Sequence, residues 1–412
     1  MEKRVLLIIE GDLTGAFGKH YDWLDNYLNA FPLCQFGILH IQNRRRSAKG
    51  FVYDMQGEDF PSNVSFYKTV NTPAVSRLLS EYQQKFLKEW LEETHQQVYE
   101  FSLFTDFIHA TNSGLAGLTG SFIKVRTGRP LMVTEHQLYW KAINSGIQSS
   151  ECSVTIPENI DSRRSLRHSF QNISRSVYRY ANHIVTAYSS NRYYQNALGG
   201  EDVTYIPDGV EADNLRFAKK TRSNSSRLTV GWIGTAEAKM NPQRFLDLAD
   251  MMNQRAESRE YTFRFKMFLT PNGFNELEKD IRKRASFIPN LEIYEDHSLP
   301  EALDHIDAVC ITAEEDHQYR VALEAAAARV LPFGWKNGDL NRSWGCFVNK
   351  HYPASKLANR LIKQWKDSIK WDFMRDKLFD RIRRRHSWKV LFEKYSRIIE
   401  KMSNKNELAY YE

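Results

Sequence analysis

The sequence is poor in cysteine, in long apolar runs and in low-complexity segments, and each shortage narrows the field. Four cysteines occur in 412 residues, Cys34, Cys152, Cys310 and Cys346. No two have metal-ligand spacing, so neither a zinc module nor a disulfide framework is expected, and a reducing cytosol fits. No stretch approaches the roughly 18 uninterrupted apolar residues that cross a bilayer. The basic start MEKRVLLIIEGD has only five apolar residues, Val5 to Ile9, before Glu10 and no small-residue cleavage site, so it reads as a strand rather than a leader. No repeat of 20 to 50 residues is evident. Neither charge dominates: 57 Lys plus Arg against 50 Asp plus Glu leave a formal +7, and no motif that reads DNA or RNA accompanies it, so nucleic acid is not an expected partner.

What the chain does have is 42% apolar and 13% aromatic residues, a globular composition long enough for two domains. A short apolar run, a polar turn and a helical pattern alternate through both halves, as βα units on a parallel sheet do. VLLIIE, QFGILHI, DFIHA, LMVTEH, HIVTAYS and VTYIPDG serve as strands of the first half. AKKTRSNSS lacks apolar periodicity and reads as a linker. The theme restarts with LTVGWIG, YTFRFKMFLT, LEIYEDH, DAVCITA and VLPFGW, and the last fifty residues are helical. The expected domains are 1–217, a linker at 218–227, a second doubly wound domain at 228–385, and a terminal helix and tail at 386–412. Such a pair binds ligands in a cleft at the carboxyl ends of its strands.

Three segments carry chemistry. In LEAAAARVLPF, Glu324 stands in a small-residue helix eight residues after Asp316. The two carboxylates are placed to face a cleft, one toward a ribose and one toward a sugar hydroxyl, beside a helix start that favours phosphate. Alone, Glu324 equally reads as a first-turn carboxylate satisfying the helix dipole. In LMVTEHQLY, His136 follows a buried-looking strand, where a packed histidine is the commoner case. YIPDGVEADNLRF is a strand ending in a Pro-Asp-Gly turn.

Together with VLLIIEGD, GLAGLTGSFIKVRTGRPLMVTEHQLY, SVYRYANHIVTAYSSNRYYQ, GWIGTAEAKMNPQRFLDLA and HSWKVLFEKY, these segments resemble the retaining family 4 glycosyltransferases, and within them the pellicle-polysaccharide subgroup. The resemblance implies a GT-B fold, with two Rossmann-like domains facing a central cleft and a terminal helix returning to the first. It implies retaining, metal-independent hexosyl transfer from a UDP- or GDP-sugar to a glycan or lipid-linked acceptor in surface polysaccharide synthesis. The nucleotide sugar is a substrate, and no cofactor is expected. The leaving diphosphate helps deprotonate the incoming hydroxyl, so Asp316 and Glu324 position groups rather than act as a glycosidase acid and nucleophile.

Residue by residue, Glu324 matches the glutamate that holds the donor ribose, and Asp316 stands one methylene short where the partner glutamate belongs. His136 matches the histidine that approaches the donor sugar, and Glu135 is its acceptor-side companion. Gly15 and Gly18 fall in the glycine loop, split as Gly-Ala-Phe-Gly. After Gly234, Thr235 and Met240 replace the usual arginine and lysine beside the diphosphate. Lys239 and Arg320, with Arg244 and Lys336 as further candidates, are the cations left to replace them, because a partly buried diphosphate needs countercharge.

That loss leaves other readings open: a catalytically degenerate partner subunit of another glycosyltransferase, or a non-glycosyl enzyme on the same scaffold. The net charge also turns out to be local. From Lys356 to Lys405 there are 16 Lys plus Arg against 6 Asp plus Glu, a net of +10, so the rest of the chain is about −3. It is densest at Arg381, Arg383, Arg384 and Arg385, and either a solvated face or peripheral contact with an anionic membrane from the cytoplasmic side follows.

Overall fold

The structure, a computed structural model, describes residues 2–11, 19–43, 60–146, 151–211, 227–256, 262–270, 276–295, 297–314 and 318–409. The chain divides into two compact units, one of Met1–Asp208 with Leu391–Glu412 and the other of Gly209–Val390. Of the expected linker at 218–227, only Arg227 is among the described residues, where it opens a strand.

In the first unit, seven strands form one parallel sheet: β1 (Arg4–Glu10), β2 (Gln35–Gln42), β3 (Val64–Asn71), β4 (Phe107–Ala110), β5 (Leu131–Glu135), β6 (His183–Thr186) and β7 (Val203–Tyr205). Their spatial order is β3-β2-β1-β4-β5-β6-β7. In the second, β8 (Arg227–Thr235), β9 (Thr262–Thr270), β10 (Leu291–Glu295), β11 (Ala308–Ile311), β12 (Leu331–Trp335) and β13 (Cys346–Val348) take the order β10-β9-β8-β11-β12-β13. Both sheets are doubly wound, and the order reverses between β1 and β4 and between β8 and β11. Those reversals are where open α/β sheets leave room for a ligand.

Burial follows from this layering. β1, β4, β5, β6, β11 and β12 are buried along nearly their whole length because helices cover both faces. The edge strands β3 and β10 have mixed burial instead. The helix Leu115–Thr127 packs closely because of its glycines: a Cβ at Gly117 would stand 2.6 Å from the Asn112 carbonyl oxygen and 2.7 Å from Val177. The helix ends at Gly128, whose φ of 72° suits a left-handed cap. Across from it, the helix Ile160–Tyr180 begins at Asn159, whose side chain accepts from the amides of Asp161 and Ser162.

The terminal helix Trp388–Ala409 belongs to the first unit from Leu391 onward. Phe392 and Tyr395 pack edge-on against Tyr27, at 5.7 and 5.8 Å between ring centres, and Tyr395 shares a hydroxyl contact of 3.3 Å with Thr134. His109 continues the chain, 2.8 Å from Thr134 Oγ1 and 3.0 Å from the Tyr27 hydroxyl. Complete burial pushes the His109 imidazole down to about 3, with His136 adding to the effect.

Candidate functional site

The carboxyl end of the second sheet is a single hydrogen-bonded assembly. Gln318 is wholly buried and ties the start of its own helix to two segments: its Oε1 accepts from the amides of Thr312 and Ala313, and its Nε2 donates to the Ile233 carbonyl. Thr312 donates to the Met240 carbonyl at 2.6 Å and accepts from the Trp232 indole at 2.8 Å. The Glu314 amide in turn donates to the Lys239 carbonyl. The ends of β8 and β11 and the start of the helix Tyr319–Ala327 are thereby locked together at the sheet's point of reversal.

The expected donor residues sit on this assembly. Gly234 leaves space for the Trp232 ring, since a Cβ there would stand 2.9 Å from it. Thr235 ends β8 and is 8% exposed, and its buried hydroxyl has no hydrogen-bond partner among the described residues. A buried hydroxyl left unsatisfied costs free energy unless a bound group completes it. Lys239 lies in the turn Ala238–Met240 and pairs with Glu237 at 2.8 Å. Glu324 and Arg320 form a half-buried pair at 3.6 Å, one helical turn apart. Glu324 stands in the second turn of its helix, so dipole satisfaction in the first turn does not account for it. Arg244 is held elsewhere, donating to the Lys350 carbonyl at 2.8 Å and lying over the Trp335 ring. Asp316, Gly15 and Gly18 lie outside the described residues.

In the first unit, His136 directly follows β5. Its Nδ1 is 3.0 Å from Asp208 Oδ1, both side chains are largely buried, and the Trp23 ring meets the imidazole edge-on at 5.4 Å. The Tyr188 hydroxyl donates to the other oxygen of Asp208 at 3.4 Å. A carboxylate at Asp208 favours the tautomer whose proton is on Nδ1, and so fixes the orientation of the ring. The Pro-Asp-Gly segment stands among the three that carry chemistry, but its partner is not legible there, because the pairing joins residues 72 positions apart, which no local pattern reveals.

Glu135, expected on the acceptor side, is placed in the interior instead. It is wholly buried and accepts from Ser113, Tyr178 and, at 2.8 Å, Gln195. The physical reason is its place on a central parallel strand covered on both faces. Glu10 is its counterpart at the end of β1, accepting from Tyr139, from the hydroxyl of Ser153 at 2.7 Å and from the Ala116 amide at 3.0 Å. Burial raises both carboxyl groups above the usual range, and their hydrogen bonds partly offset it. Gln318 in the second unit, and Asp208, Glu10, Ser113 and Tyr178 in the first, are thus structural partners, each within its own unit, that the sequence did not single out.

With this geometry in place, solved structures give the comparison. A glycosyltransferase from Rickettsia africae matches 97% of this chain and 98% of its own at a TM-score of 0.66 and 11% identity. A sucrose-phosphate synthase from Thermosynechococcus elongatus matches 97% and 99% at 0.68 and 11%. The fold is GT-B. An E. coli trehalose-6-phosphate structure bound with UDP-2-fluoro glucose shares this GT-B fold over 97% of this chain and 99% of its own, at 0.64 and 11% identity. Residues 100–202, from just before β4 to just before β7, match a family model described as "Domain of unknown function (DUF3492)". No curated protein matches the chain by sequence. Among the described residues, no helix is long and apolar enough to cross a membrane.

Proposed function

We propose that the protein is a retaining glycosyltransferase that moves a hexosyl group from a UDP- or GDP-sugar to a glycan or lipid-linked acceptor. The observation that carries this reading is the Thr235 hydroxyl, buried and without a described partner at the reversal point of a nucleotide-binding strand order. A donor phosphate oxygen accepts from that hydroxyl, and Lys239 and Arg320 supply countercharge beside it. Glu324, oriented by Arg320, accepts from the ribose hydroxyls, and Asp316 serves the donor sugar. Gly234, with Gly15 and Gly18, allows backbone to come near the donor. His136, held by Asp208, serves the donor sugar, and Glu135 supports the end of β5 from within.

Rate enhancement in this reading comes from orientation and from charge stabilisation at the diphosphate as the glycosidic bond breaks. The diphosphate also takes the proton of the incoming hydroxyl, so no protein nucleophile and no metal is assigned. Family 4 membership, the pellicle-polysaccharide subgroup and a role in surface polysaccharide synthesis belong to the same proposal. So does peripheral placement on the cytoplasmic membrane face, through the basic C-terminal helices.

The test is a transfer and hydrolysis assay of the full chain with UDP- and GDP-hexoses, with Glu324→Ala and His136→Ala beside it. Release of nucleotide by the parent chain and its loss in both variants is the expected result. No release from any donor contradicts the proposal. A second reading, a catalytically degenerate partner subunit, is favoured by one observation: Lys239, Arg320 and Arg244 each already hold a protein partner. Donor binding without turnover supports it.

A further inference from the structure

The helix Ser368–Arg385 carries a surface that the transferase reading does not use. One side of this helix is buried through Trp371, Arg375, Leu378 and Ile382. Helical geometry places Ile369 and Phe373 on the opposite side, one turn apart. They are 81% and 65% exposed, whereas each of the four buried residues is 7% exposed or less. Two large apolar groups held in water at such exposure, at adjacent positions of one ridge, are a contact surface in search of an apolar phase.

The charges around them say which phase. Lys363, Lys366, Lys370, Lys377 and Arg384 are all exposed. Two of the three acidic residues of the helix are occupied within the fold, Asp372 by Arg375 at 3.2 Å and Asp376 by Arg329. Arg381 folds back, 4.0 Å from the Trp344 ring and bonded to Ser343, and so leaves the outward face to the lysines and Arg384. Asp380 is the remaining exposed acid of the helix on that side and Lys370 is also paired with Asp367 at 2.7 Å, so that cations outnumber acids there. The ridge therefore offers an apolar wedge inside a basic rim. A protein partner needs roughly 800 Å² per side, far more than two side chains provide, whereas a wedge with a basic rim matches the headgroup and acyl boundary of an anionic bilayer.

We propose that Ile369 and Phe373 insert into an anionic lipid surface while Lys366, Lys370 and Lys377 contact its headgroups. The proposal rests on the membrane-side reading of the C-terminal helices and not on the transferase reading: loss of vesicle binding leaves nucleotide binding intact, and the reverse.

The test is co-sedimentation of the full chain with vesicles of phosphatidylcholine alone or with about 30% phosphatidylglycerol, at about 0.1 M salt. Binding is expected to the anionic vesicles only. The double substitution Ile369→Ser and Phe373→Ser, both at exposed positions, is expected to lower the bound-to-free ratio by at least about tenfold. Lys370→Glu with Lys377→Glu is expected to lower it also, and circular dichroism to show both variants folded. Because the four native cysteines are all buried, Phe373→Cys accepts a polarity-sensitive thiol dye at that position alone. Its emission is expected to shift to the blue on anionic vesicles, which tests insertion without any stability question. Failure of the parent chain to sediment, sedimentation unchanged by the serine pair, or an unshifted dye overturns the proposal. So does a parent chain that ignores vesicles but forms a dimer that the serine pair abolishes, which assigns the ridge to a second copy.

Discussion

Thr235 and Asp208 make opposite demands on the fold, and a pair of isosteric changes separates function from stability. Thr235→Val removes a hydroxyl with no described partner and keeps the shape. Calorimetric unfolding is therefore expected at an equal or higher temperature than the parent, while nucleoside diphosphate affinity falls about tenfold. If affinity is unchanged, the hydroxyl has no role in donor binding. Asp208→Asn keeps the contact to His136 but lets the amide donate as well, so the imidazole loses its fixed tautomer. We expect kcat to fall at least about tenfold with KM little changed, and a shifted pH–rate profile. Equal losses in kcat/KM from weaker donor binding alone contradict the positioning role. Thr235 is legible as a donor-side position, because it stands where the resemblance expects an arginine, but its buried, unpartnered hydroxyl is not; Asp208 lies in a segment marked only by its Pro-Asp-Gly turn, and its pairing with His136 is not legible. Glu135 shows the converse limit, because on a strand buried on both faces the alternation of side chains does not say which one meets a ligand.

At the scale of elements, most of the two sheets is legible, since apolar runs such as VLLIIE or HIVT form strands, whereas the edge strands β3 and β13 are not, because β3 is only partly buried and β13 is three residues long. The braces between strands are not legible either, because they depend on which loops the topology brings together. Gln318 is the clearest case. Its amide satisfies two buried N–H groups from the end of β11 and one carbonyl from β8, and nothing in its neighbours along the chain marks it. Gln318→Ala is expected to cost about 2–4 kcal/mol by denaturant unfolding, because those groups are left buried and unpaired. A loss within experimental scatter means water or backbone shifts replace the amide. The glycine-rich helix Leu115–Thr127 was legible as a helix, but its reason for glycine lies in Asn112 and Val177, against which any Cβ at position 117 collides.

The whole molecule answers to pH through groups that no site role requires. His109 is held neutral, its folded value near 3 against an ordinary 6.5, so the unfolded chain binds the extra proton across that interval. Stability from this group is full above about pH 6.5 and is lost as pH falls toward 3. Glu10 and Glu135 act with the opposite sign: their values are raised in the fold, so the folded state binds protons first and their penalty eases as pH falls through those values. His109→Gln is therefore expected to flatten the acid limb of a stability–pH curve, and an unchanged limb means the carboxylates or other groups dominate it.

The central claim, that the second unit binds a nucleotide-diphosphate sugar, is tested most directly by a thermal-shift panel of UDP, GDP, ADP and CMP. Ligand at about 100 times its Kd stabilises a fold by about 2.7 kcal/mol, so one diphosphate is expected to raise Tm clearly, and to do so less in Thr235→Val and Glu324→Ala. No shift with any of the four nucleotides, or an equal shift in both variants, contradicts it.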